Sequence, residues 1–233
     1  MIETAKISIV MTALNGLDHS KKALSSLLKA VKDSKHDFEL FLTDDGSTDG
    51  SHEYFQDFSE ECGFPCTVFQ NARNRGVPYS MNVMMKACTG DFVLRIDNDI
   101  EFVSDKFMDR MVGAFESVPM LGAISCLTNK TSGPAGGRSL GNLGEGIIAS
   151  MEVNGFCLMV PRDILEKVDY IDEDFPKIYG EDRHLVFKVA KQNYLTGVYF
   201  GAYCLHHHKA TFGREGDAIM RVSNEVLARK MSE

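Results

Sequence analysis

Segments typical of strands alternate with segments typical of helices along the first half of the chain. Residues 6–12 and 38–43 carry the branched and aromatic side chains that strands favour. Between them, apolar residues recur at helical spacing, at Ala23, Leu24, Leu27, Leu28 and Val31. Further strands are predicted over 66–70, 91–96 and 121–127, with helices opened by Pro78 and capped by Ser104. This order predicts an α/β fold, with one Rossmann-like mixed, mostly parallel sheet flanked by helices on both faces.

Polar residues follow three of these strands directly. They are Thr12 to Asn15 after the first strand, Asp44 to Gly46 after the second, and Asp97 to Asp99 after the strand at 91–96. In such sheets, ligands bind beyond the carboxyl ends of the strands. The three groups are therefore expected to share one site.

The triplet Asp97-Asn98-Asp99 indicates what that site holds. Two carboxylates at positions i and i+2 are costly to keep close together unless a cation joins them. A divalent ion there could carry the phosphates of a nucleotide. The alternative is an ordinary acidic turn after a strand.

Length and charge limit the function further. The 233 residues suit one α/β domain, and the formal net charge of −8 provides no overall positive field for nucleic acid or anionic lipid. No apolar run is long enough to span a bilayer, and the first residues show no secretion signal. The six cysteines are scattered, which fits free thiols in a reducing cytosol. A cytoplasmic protein is expected.

The second half of the sequence is less regular. Residues 128–150 are rich in glycine and are interpreted as a mobile loop and a candidate lid. A strand is predicted over 155–160, with short helices after Pro161 and after Gly180. A strand over 197–205 leads into His206, His207 and His208, and the tail from about 215 is an amphipathic helix.

Six motifs in order resemble those of a family 2 glycosyltransferase. They are Thr-Ala-Leu-Asn at 12–15, Asp-Asp-Gly-Ser-Thr-Asp at 44–49, Asn-Arg-Gly at 74–76 with Asn82, the D-x-D motif at 97–99, Gly-Glu-Asp at 180–182, and a histidine at the end of the last strand. The resemblance covers roughly residues 6–212 and implies the GT-A fold in a single domain over 1–233. Residues 1–100 would be the nucleotide-sugar-binding half, 101–212 the acceptor-binding half, and 213–233 a helical tail.

The resemblance also implies a set of substrate-binding residues. These are Thr12, Ala13, Asn15, Asp44, Asp45, Arg75, Gly76, Asn82, Asp97, Asn98, Asn154, Gly155 and Glu181. Asp44 would accept a hydrogen bond from the base, Arg75 would help to neutralise phosphate, and Glu181 would contact the acceptor.

For the chemistry, the resemblance implies Asp182 as the catalytic base of an inverting transfer to an acceptor hydroxyl. Asp99 would ligate Mn²⁺ or Mg²⁺ together with His206 or His208, with the position before Thr211 and Phe212 favouring His206. The expected partners are a nucleotide-sugar donor, by default a UDP-sugar, and a glycan, lipid-linked or other acceptor. No nucleic acid is expected, whereas contact of the tail with the inner face of a membrane stays open.

Other interpretations of these motifs compete with the enzyme. A silent module that binds a nucleotide sugar or glycan without turnover would carry the same fold. A dinucleotide enzyme would need a G-x-G-x-x-G turn after the first strand, which is absent from the sequence. Asp45 to Gly50 could begin a calcium loop, although Gln56 replaces the glutamate that such a loop needs. Asp182 could be only a helix cap.

The sequence also departs from the family in two places. Leu14 stands where an aromatic residue is common, and Ser80-Met81 before Asn82 lacks a basic residue.

Overall fold

A computed structural model describes residues 2–129, 140–151, 153–207 and 213–232, without the side chains of 213–217. Its elements in the first half are β1 (Lys6–Ala13), α1 (Leu17–Lys32), β2 (Asp37–Asp44), α2 (Ser51–Glu61), β3 (Cys66–Gln70), α3 (Val77–Met85), β4 (Phe92–Asp97), β5 (Ile100–Phe102), α4 (Phe107–Ser117) and β6 (Leu121–Thr128). The second half comprises β7 (Gly141–Gly144), β8 (Ile147–Ala149), β9 (Cys157–Pro161), α5 (Arg162–Lys167), α6 (Glu181–Lys191), β10 (Leu195–His206) and α7 (Gly213–Ser232).

All the strands described belong to one 10-stranded sheet, in the order β3-β2-β1-β4-β9-β6-β10-β8-β7, with β5 paired to β10. Strands β3, β2, β1 and β4 are parallel to one another. Strand β9 is antiparallel to both β4 and β6, so β6 and its parallel partner β10 run in the same direction as β1. The mixed, mostly parallel sheet predicted from the sequence is confirmed.

Helices cover both faces of the sheet, each over its own core. On one face, α1, α2 and α4 bury Leu24, Phe55 and Phe107 against inward residues of β1 and β4. On the other face, α3, α5 and α6 bury Met84, Leu165 and Leu185. Two cores arise because successive side chains of a buried strand point to opposite faces.

The register places the ends of the parallel strands side by side. Thr12 of β1 is opposite Thr43 of β2 and Asp97 of β4, and Ala13 is opposite Asp44. The polar groups that follow these strands therefore lie at one edge of the sheet, as the sequence predicted.

The tail helix α7 packs on its own domain. Ser223 donates a hydrogen bond to the carbonyl of Ile178 at 2.9 Å, and Lys230 forms an ion pair with Asp174 at 2.8 Å. No helix among the described residues is long and apolar enough to cross a membrane.

Some sequence predictions about individual elements were wrong. Residues 141–144 and 147–149, expected in a mobile loop, form the antiparallel pair β7–β8; residues 130–139 of that predicted lid lie outside the described residues. Ser104 does not cap α4, which begins three residues later after Lys106 in a left-handed conformation. Ser104 instead accepts a hydrogen bond from the amide of Tyr203 in β10.

Candidate active site

A cluster of Asp97, Asp99 and His206 lies at the carboxyl edge of the sheet. Each residue offers one ligand atom, and these atoms lie within 4.8 Å of one another. The Nε2 atom of His206 is 3.1 Å from Oδ1 of Asp99. Residues more than a hundred positions apart in the sequence thus meet in one potential cation site.

Strand pairing creates this cluster. The short strand β5 pairs antiparallel with β10, with His206 opposite Ile100, and the amide of His207 donates a hydrogen bond to the carbonyl of Asp99 at 2.9 Å. The side chain of His207 turns to Glu101, which is 2.8 Å away. Because strand side chains alternate, this pairing sends His206 and not His207 to the acidic cluster. His208, the other predicted ligand, lies outside the described residues.

The electrostatics of the cluster fit a bound cation. Burial raises the pKa of Asp97, and the charges of Asp99 and Asp182 add to the rise, although Arg95 and His206 oppose it. Burial disfavours a charged His206, but its hydrogen bond to Asp99 and the charge of Asp99 raise the pKa of the imidazole. Positive charge is therefore stabilised between these groups. Two carboxylates and one imidazole are donors that suit Mn²⁺, and carboxylates alone suit Mg²⁺.

A buried ion pair that the sequence analysis missed lies beside the cluster. Arg95 of β4 donates a hydrogen bond from Nη2 to Oε1 of Glu181 at 2.9 Å, and the same nitrogen is 3.8 Å from Asp97. Burial raises the pKa of Glu181 to about 7, with Asp182 adding to the effect and Arg95 opposing it. Atoms Nε and Nη1 of Arg95 and Oε2 of Glu181 have no hydrogen-bond partner among the described residues. The one available signal was a charged residue inside an otherwise apolar strand, two residues before Asp97.

Asp182 occupies the first turn of α6, next to this pair. Gly180, in a left-handed conformation, precedes the helix, so Asp182 is not its N-cap. Its Oδ2 accepts a hydrogen bond from the amide of Gly155 at 2.9 Å, and its Oδ1 accepts one from the amide of Arg183 at 2.8 Å. The charge of Asp182 acts on both Asp97 and Arg95. Gly155, expected to bind substrate, therefore positions this carboxylate.

Asp44, which is predicted to bind the base, is buried and keeps one carboxylate oxygen without a protein partner among the described residues. It ends β2 and is fully buried, and its Oδ1 accepts a hydrogen bond from the amide of Ser47 at 3.0 Å. Its Oδ2 has no protein partner among the described residues, which leaves an acceptor for a ligand N–H. Thr12 and Ala13 of β1 lie beside it in the register.

Asp45 organises a neighbouring loop instead of facing the same space. Its Oδ1 accepts hydrogen bonds from Asn71 and from the amide of Arg75, both at 2.8 Å, and its Oδ2 accepts one from the amide of Gly76 at 2.9 Å. Arg75 is exposed and stacks on the ring of Tyr79, 3.7 Å from its centroid. Asp45 thus holds the loop that carries Arg75.

The calcium-loop interpretation is wrong. The Oδ2 atom of Asp49 accepts a hydrogen bond from the amide of Leu17, and its Oδ1 accepts one from the amide of Ser51 at the start of α2. The carboxylates of Asp45 and Asp49 are therefore engaged in different contacts and do not converge on one ion.

Two other predicted binding residues, Asn82 and Asn98, form hydrogen bonds with other groups of the protein. The amide of Asn82 is buried, donates to the carbonyl of Ile171 and to Glu173, both at 2.8 Å, and accepts from the amide of Ile171. Asn98 donates to Ser20 of α1 at 3.0 Å and to the carbonyl of Asn15 at 3.3 Å. The structure thus gives Asn82 and Asn98 structural roles that the sequence analysis had not assigned.

Asn15 and Asn154 complete the predicted set. Asn15 has a positive φ of 59°, donates its amide to Ser47 and accepts from the amide of Thr48. It thereby joins the loop after β1 to the loop after β2. Asn154 is half-buried next to Gly155, before β9.

Comparison with known proteins gives a consistent result. The sequence profile of the family described as Glycosyl transferase family 2 matches residues 8–141. An undecaprenyl-phosphate 4-deoxy-4-formamido-L-arabinose transferase of Pseudomonas fluorescens (strain Pf0-1) is 30% identical over 95 residues, which are 41% of this chain and 28% of that protein. The chain thus matches little more than a quarter of this curated relative.

Solved structures with the same fold include two glycosyltransferases. A mannosyltransferase from Pyrobaculum calidifontis in complex with GDP-Man and Mn²⁺ superposes with a TM-score of 0.72 at 17% identity, covering 97% of this chain and 64% of that one. GalNAc-T7 with UDP, GalNAc and Mn²⁺ gives a TM-score of 0.74 at 13% identity, covering 89% of this chain and 44% of that one. At these identities the likeness shows the GT-A fold, as predicted.

Proposed function

This chain belongs to glycosyl transferase family 2, and we propose that it transfers a sugar from a nucleotide-diphosphate donor to an acceptor hydroxyl with inversion at C1. The observation that carries the proposal is the meeting of Asp97, Asp99 and His206 at the sheet edge where Asp44 ends β2. A candidate cation site and a buried Asp44 oxygen without a partner among the described residues lie at the same edge, which supports binding of a nucleotide diphosphate there.

On the donor side, Asp44 accepts a hydrogen bond from the base, while Thr12, Ala13 and Asn15 line the pocket beside it. Arg75, held by the loop that Asp45 organises, reaches the phosphates. Asp99 and His206 would hold Mn²⁺ or Mg²⁺, with Asp97 beside them. When bound, the ion neutralises the charge that develops on the departing diphosphate. The structures that share the fold contain Mn²⁺ with GDP-Man or with UDP, which supports this assignment.

On the acceptor side, Asp182 takes the proton of the hydroxyl as its oxygen forms a bond to C1 of the sugar. The bond from C1 to the phosphate oxygen breaks, and the nucleoside diphosphate leaves with the electron pair. Gly155 and Arg183 orient the carboxylate through their backbone amides. Glu181, held by Arg95, contacts the acceptor. A general base of this kind contributes about 10²–10⁴-fold to the rate.

The halves of the chain follow from this division. Residues 1–100 bind the donor, 101–212 serve the acceptor and supply His206 to the cation, and the tail from 213 contributes α7 to the same domain. The relative named as an undecaprenyl-phosphate sugar transferase makes lipid-linked acceptors the first to test, with glycans next. We take UDP-sugars as the first donors to test and GDP-mannose as the second.

The test of the base is the Asp182→Asn variant, compared with Asp163→Asn, which changes an exposed acid on α5. Donors are first screened by thermal shift with Mn²⁺ and then assayed for release of the nucleoside diphosphate. Asp182→Asn should lower turnover at least about 100-fold while donor binding stays within about twofold, whereas Asp163→Asn should behave like wild type.

Near-normal turnover of Asp182→Asn with a hydroxyl acceptor would refute the assignment. Binding of nucleotide sugars without turnover by the wild-type protein would favour a silent binding module. An acceptor phosphate is already ionised at neutral pH and needs no base. If Asp182→Asn keeps normal turnover with phosphate acceptors only, the natural acceptor is a phosphate.

A further inference from the structure

Three cysteines from three adjacent strands converge inside the core. Cys157 of β9, Cys126 of β6 and Cys204 of β10 place their sulfur atoms within 4.8 Å of one another, and the sulfurs of Cys126 and Cys204 are 3.2 Å apart. In the sequence these three cysteines look scattered, because they are separated by about thirty and nearly fifty residues. The strand order β9-β6-β10 brings them together.

The cluster lies in an apolar environment. The three side chains are between 0% and 1% exposed and belong to the core beneath α1, α2 and α4. No histidine or carboxylate of the described residues joins the three sulfurs as a fourth ligand. The donor set is therefore sulfur alone, in contrast to the carboxylates and imidazole of the Asp97–Asp99–His206 cluster.

Three converging sulfurs match the geometry of a metal–thiolate centre. Metal–sulfur bonds of about 2.3 Å in a trigonal plane separate neighbouring sulfurs by about 4 Å. The three sulfurs here lie within 4.8 Å of one another, and the pair at 3.2 Å would have to separate slightly to bind the ion. Soft thiolate ligands select soft cations, among which zinc prefers four ligands in structural sites. An all-sulfur set of three fits a monovalent copper-type ion better.

We propose that Cys126, Cys157 and Cys204 form a three-coordinate site for a soft monovalent cation of the Cu(I) class. The site is separate in chemistry from the candidate active site, because hard divalent ions avoid all-sulfur ligands. Isolated buried thiols often serve only as small apolar side chains. Here, however, each sulfur lies within 4.8 Å of the two others, and the sulfurs of Cys126 and Cys204 are in hydrogen-bond contact.

The geometry also gives the bound ion a structural consequence. Cys204 lies two residues before His206 in β10, just after a register shift between Tyr199 and Tyr203. In the pairing of β10 with β6, Cys126 lies opposite Tyr199, before this shift, and Cys204 lies after it. An ion bound to Cys126, Cys157 and Cys204 would therefore link β9, β6 and β10 across the irregularity. Because it binds the folded state, its presence should raise the melting temperature of the protein.

The experiment titrates the full chain with Cu(I), without oxygen, in competition with a chromophoric Cu(I) chelator, and counts bound metal by native mass spectrometry. We expect one tightly bound ion per chain and a raised melting temperature. The Cys157→Ser variant should weaken binding at least about 100-fold, since it removes a direct ligand. Cys88→Ser, which changes a buried thiol outside the cluster, and Asp99→Ala should bind copper like wild type.

Several results would overturn the site. One is failure of the wild-type protein to take Cu(I) from the chelator, and another is binding of Cu(I) by Cys157→Ser as tightly as by wild type. Loss of copper binding in Asp99→Ala, or displacement of the copper by an equal concentration of Zn²⁺, would count equally against the site. If Cys157→Ser does not fold, the test is alkylation of the cysteines of the wild-type protein in mild denaturant, with and without copper. Copper must then protect Cys126, Cys157 and Cys204 but not Cys62, Cys66 and Cys88, and uniform modification would contradict the proposal.

Discussion

Because Gly155 contacts Asp182 closely, the methyl group of an alanine at position 155 would displace the candidate base. A Cβ atom at Gly155 would lie 2.5 Å from Oδ2 and 2.6 Å from Cβ of Asp182, so the carboxylate must move. Displacing a reacting group by about 1 Å can cost about 100-fold in rate. We therefore expect Gly155→Ala to lower turnover by about that factor, with little change in donor binding, in a steady-state assay.

Gly113→Ala is the matched control for this variant. A Cβ at Gly113 in α4 meets nothing within 4 Å, and alanine favours helices. It should leave turnover unchanged and leave stability equal or slightly higher. Wild-type turnover in Gly155→Ala would mean that the position of Asp182 does not limit the reaction.

Replacing only one member of the Arg95–Glu181 pair is predicted to destabilise the folded protein strongly. Both side chains are buried, and removing Arg95 leaves the Glu181 carboxylate without its cation. Breaking a buried pair in this way typically costs about 3–5 kcal/mol. We expect Arg95→Met to lower the free energy of unfolding by about that amount in urea, and Arg95→Met with Glu181→Gln to recover part of it.

An exposed ion pair provides the comparison. Arg110 and Asp105 lie 2.8 Å apart with side chains 42% and 77% exposed, and such pairs contribute about 0–1 kcal/mol. Arg110→Met should therefore cost far less than Arg95→Met. Equal losses in the two variants would show that Arg95 is not an essential partner of Glu181.

At the scale of elements, the loop from Asn71 to Gly76 depends on Asp45. The carboxylate accepts three N–H groups, and an asparagine amide offers only one oxygen. Hydrogen bonds to charged groups contribute about 1.5–3 kcal/mol each. Asp45→Asn should therefore speed hydrogen exchange at the amides of Arg75 and Gly76 and raise the KM for the donor.

Asp57→Asn, which changes an exposed acid on α2, is the control and should leave both quantities unchanged. Faster exchange without a change in the donor KM would separate the loop from donor binding. Unchanged exchange in Asp45→Asn would contradict the role of Asp45 as the organiser of the loop.

The elements that could be predicted from sequence are those with a strong local pattern. Strands β1, β2, β3, β4 and β6 were predicted to within one or two residues because each has several apolar residues close together, although Ser8, Glu39 and Arg95 lie inside β1, β2 and β4. Helix α2 was missed because only Phe55 and Phe58 among its apolar residues are buried. Strands β7 and β8 were missed because they are only four and three residues long and glycines flank them, at Gly141 and Gly144 in β7 and at Gly146 before β8.

The candidate site divides in the same way. Acidic residues at strand ends could be predicted because parallel strands finish at one edge. The Arg95–Glu181 pair and the three-cysteine cluster could not, because they join residues that only the strand order brings together. Asp44 and Asp45 have different hydrogen-bond partners, and these depend on where the amides of Ser47, Arg75 and Gly76 lie, which the sequence does not show.

At the scale of the whole molecule, the candidate active site and a stabilising cluster of buried polar side chains lie at opposite ends of the parallel strands. Glu39 lies five residues before Asp44 in β2, which is about 16 Å along a strand. Its carboxylate accepts hydrogen bonds from Ser8 at 2.5 Å and from the amide of Thr89 at 2.7 Å, and it forms an ion pair with Lys6 at 2.6 Å. One side chain thus joins β1, β2 and the turn before β4.

This arrangement predicts a specific loss of stability in acid. Burial alone would raise the pKa of Glu39, but the hydrogen bonds from Lys6, Ser8 and Thr89 outweigh it and lower the pKa from 4.5 to about 2. The folded-state pKa lies below the unfolded value, so the stabilisation is complete above pH 4.5 and disappears as the pH falls through about 2. The difference corresponds to at most about 3.4 kcal/mol. Because Lys6 is partly exposed to solvent, we expect about 1–2 kcal/mol.

Urea unfolding of wild type and Glu39→Gln at pH 7, 5, 4 and 3 measures this contribution. Wild type should be more stable at pH 7 by about 1–2 kcal/mol, and the gap should narrow as the pH approaches 3. Donor binding at pH 7 should be the same in both proteins, because the substituted side chain is at the far end of β2 from Asp44. A gap independent of pH would show that packing and not charge stabilises this end of the sheet. Weakened donor binding in Glu39→Gln would show that the two ends are coupled through the parallel strands.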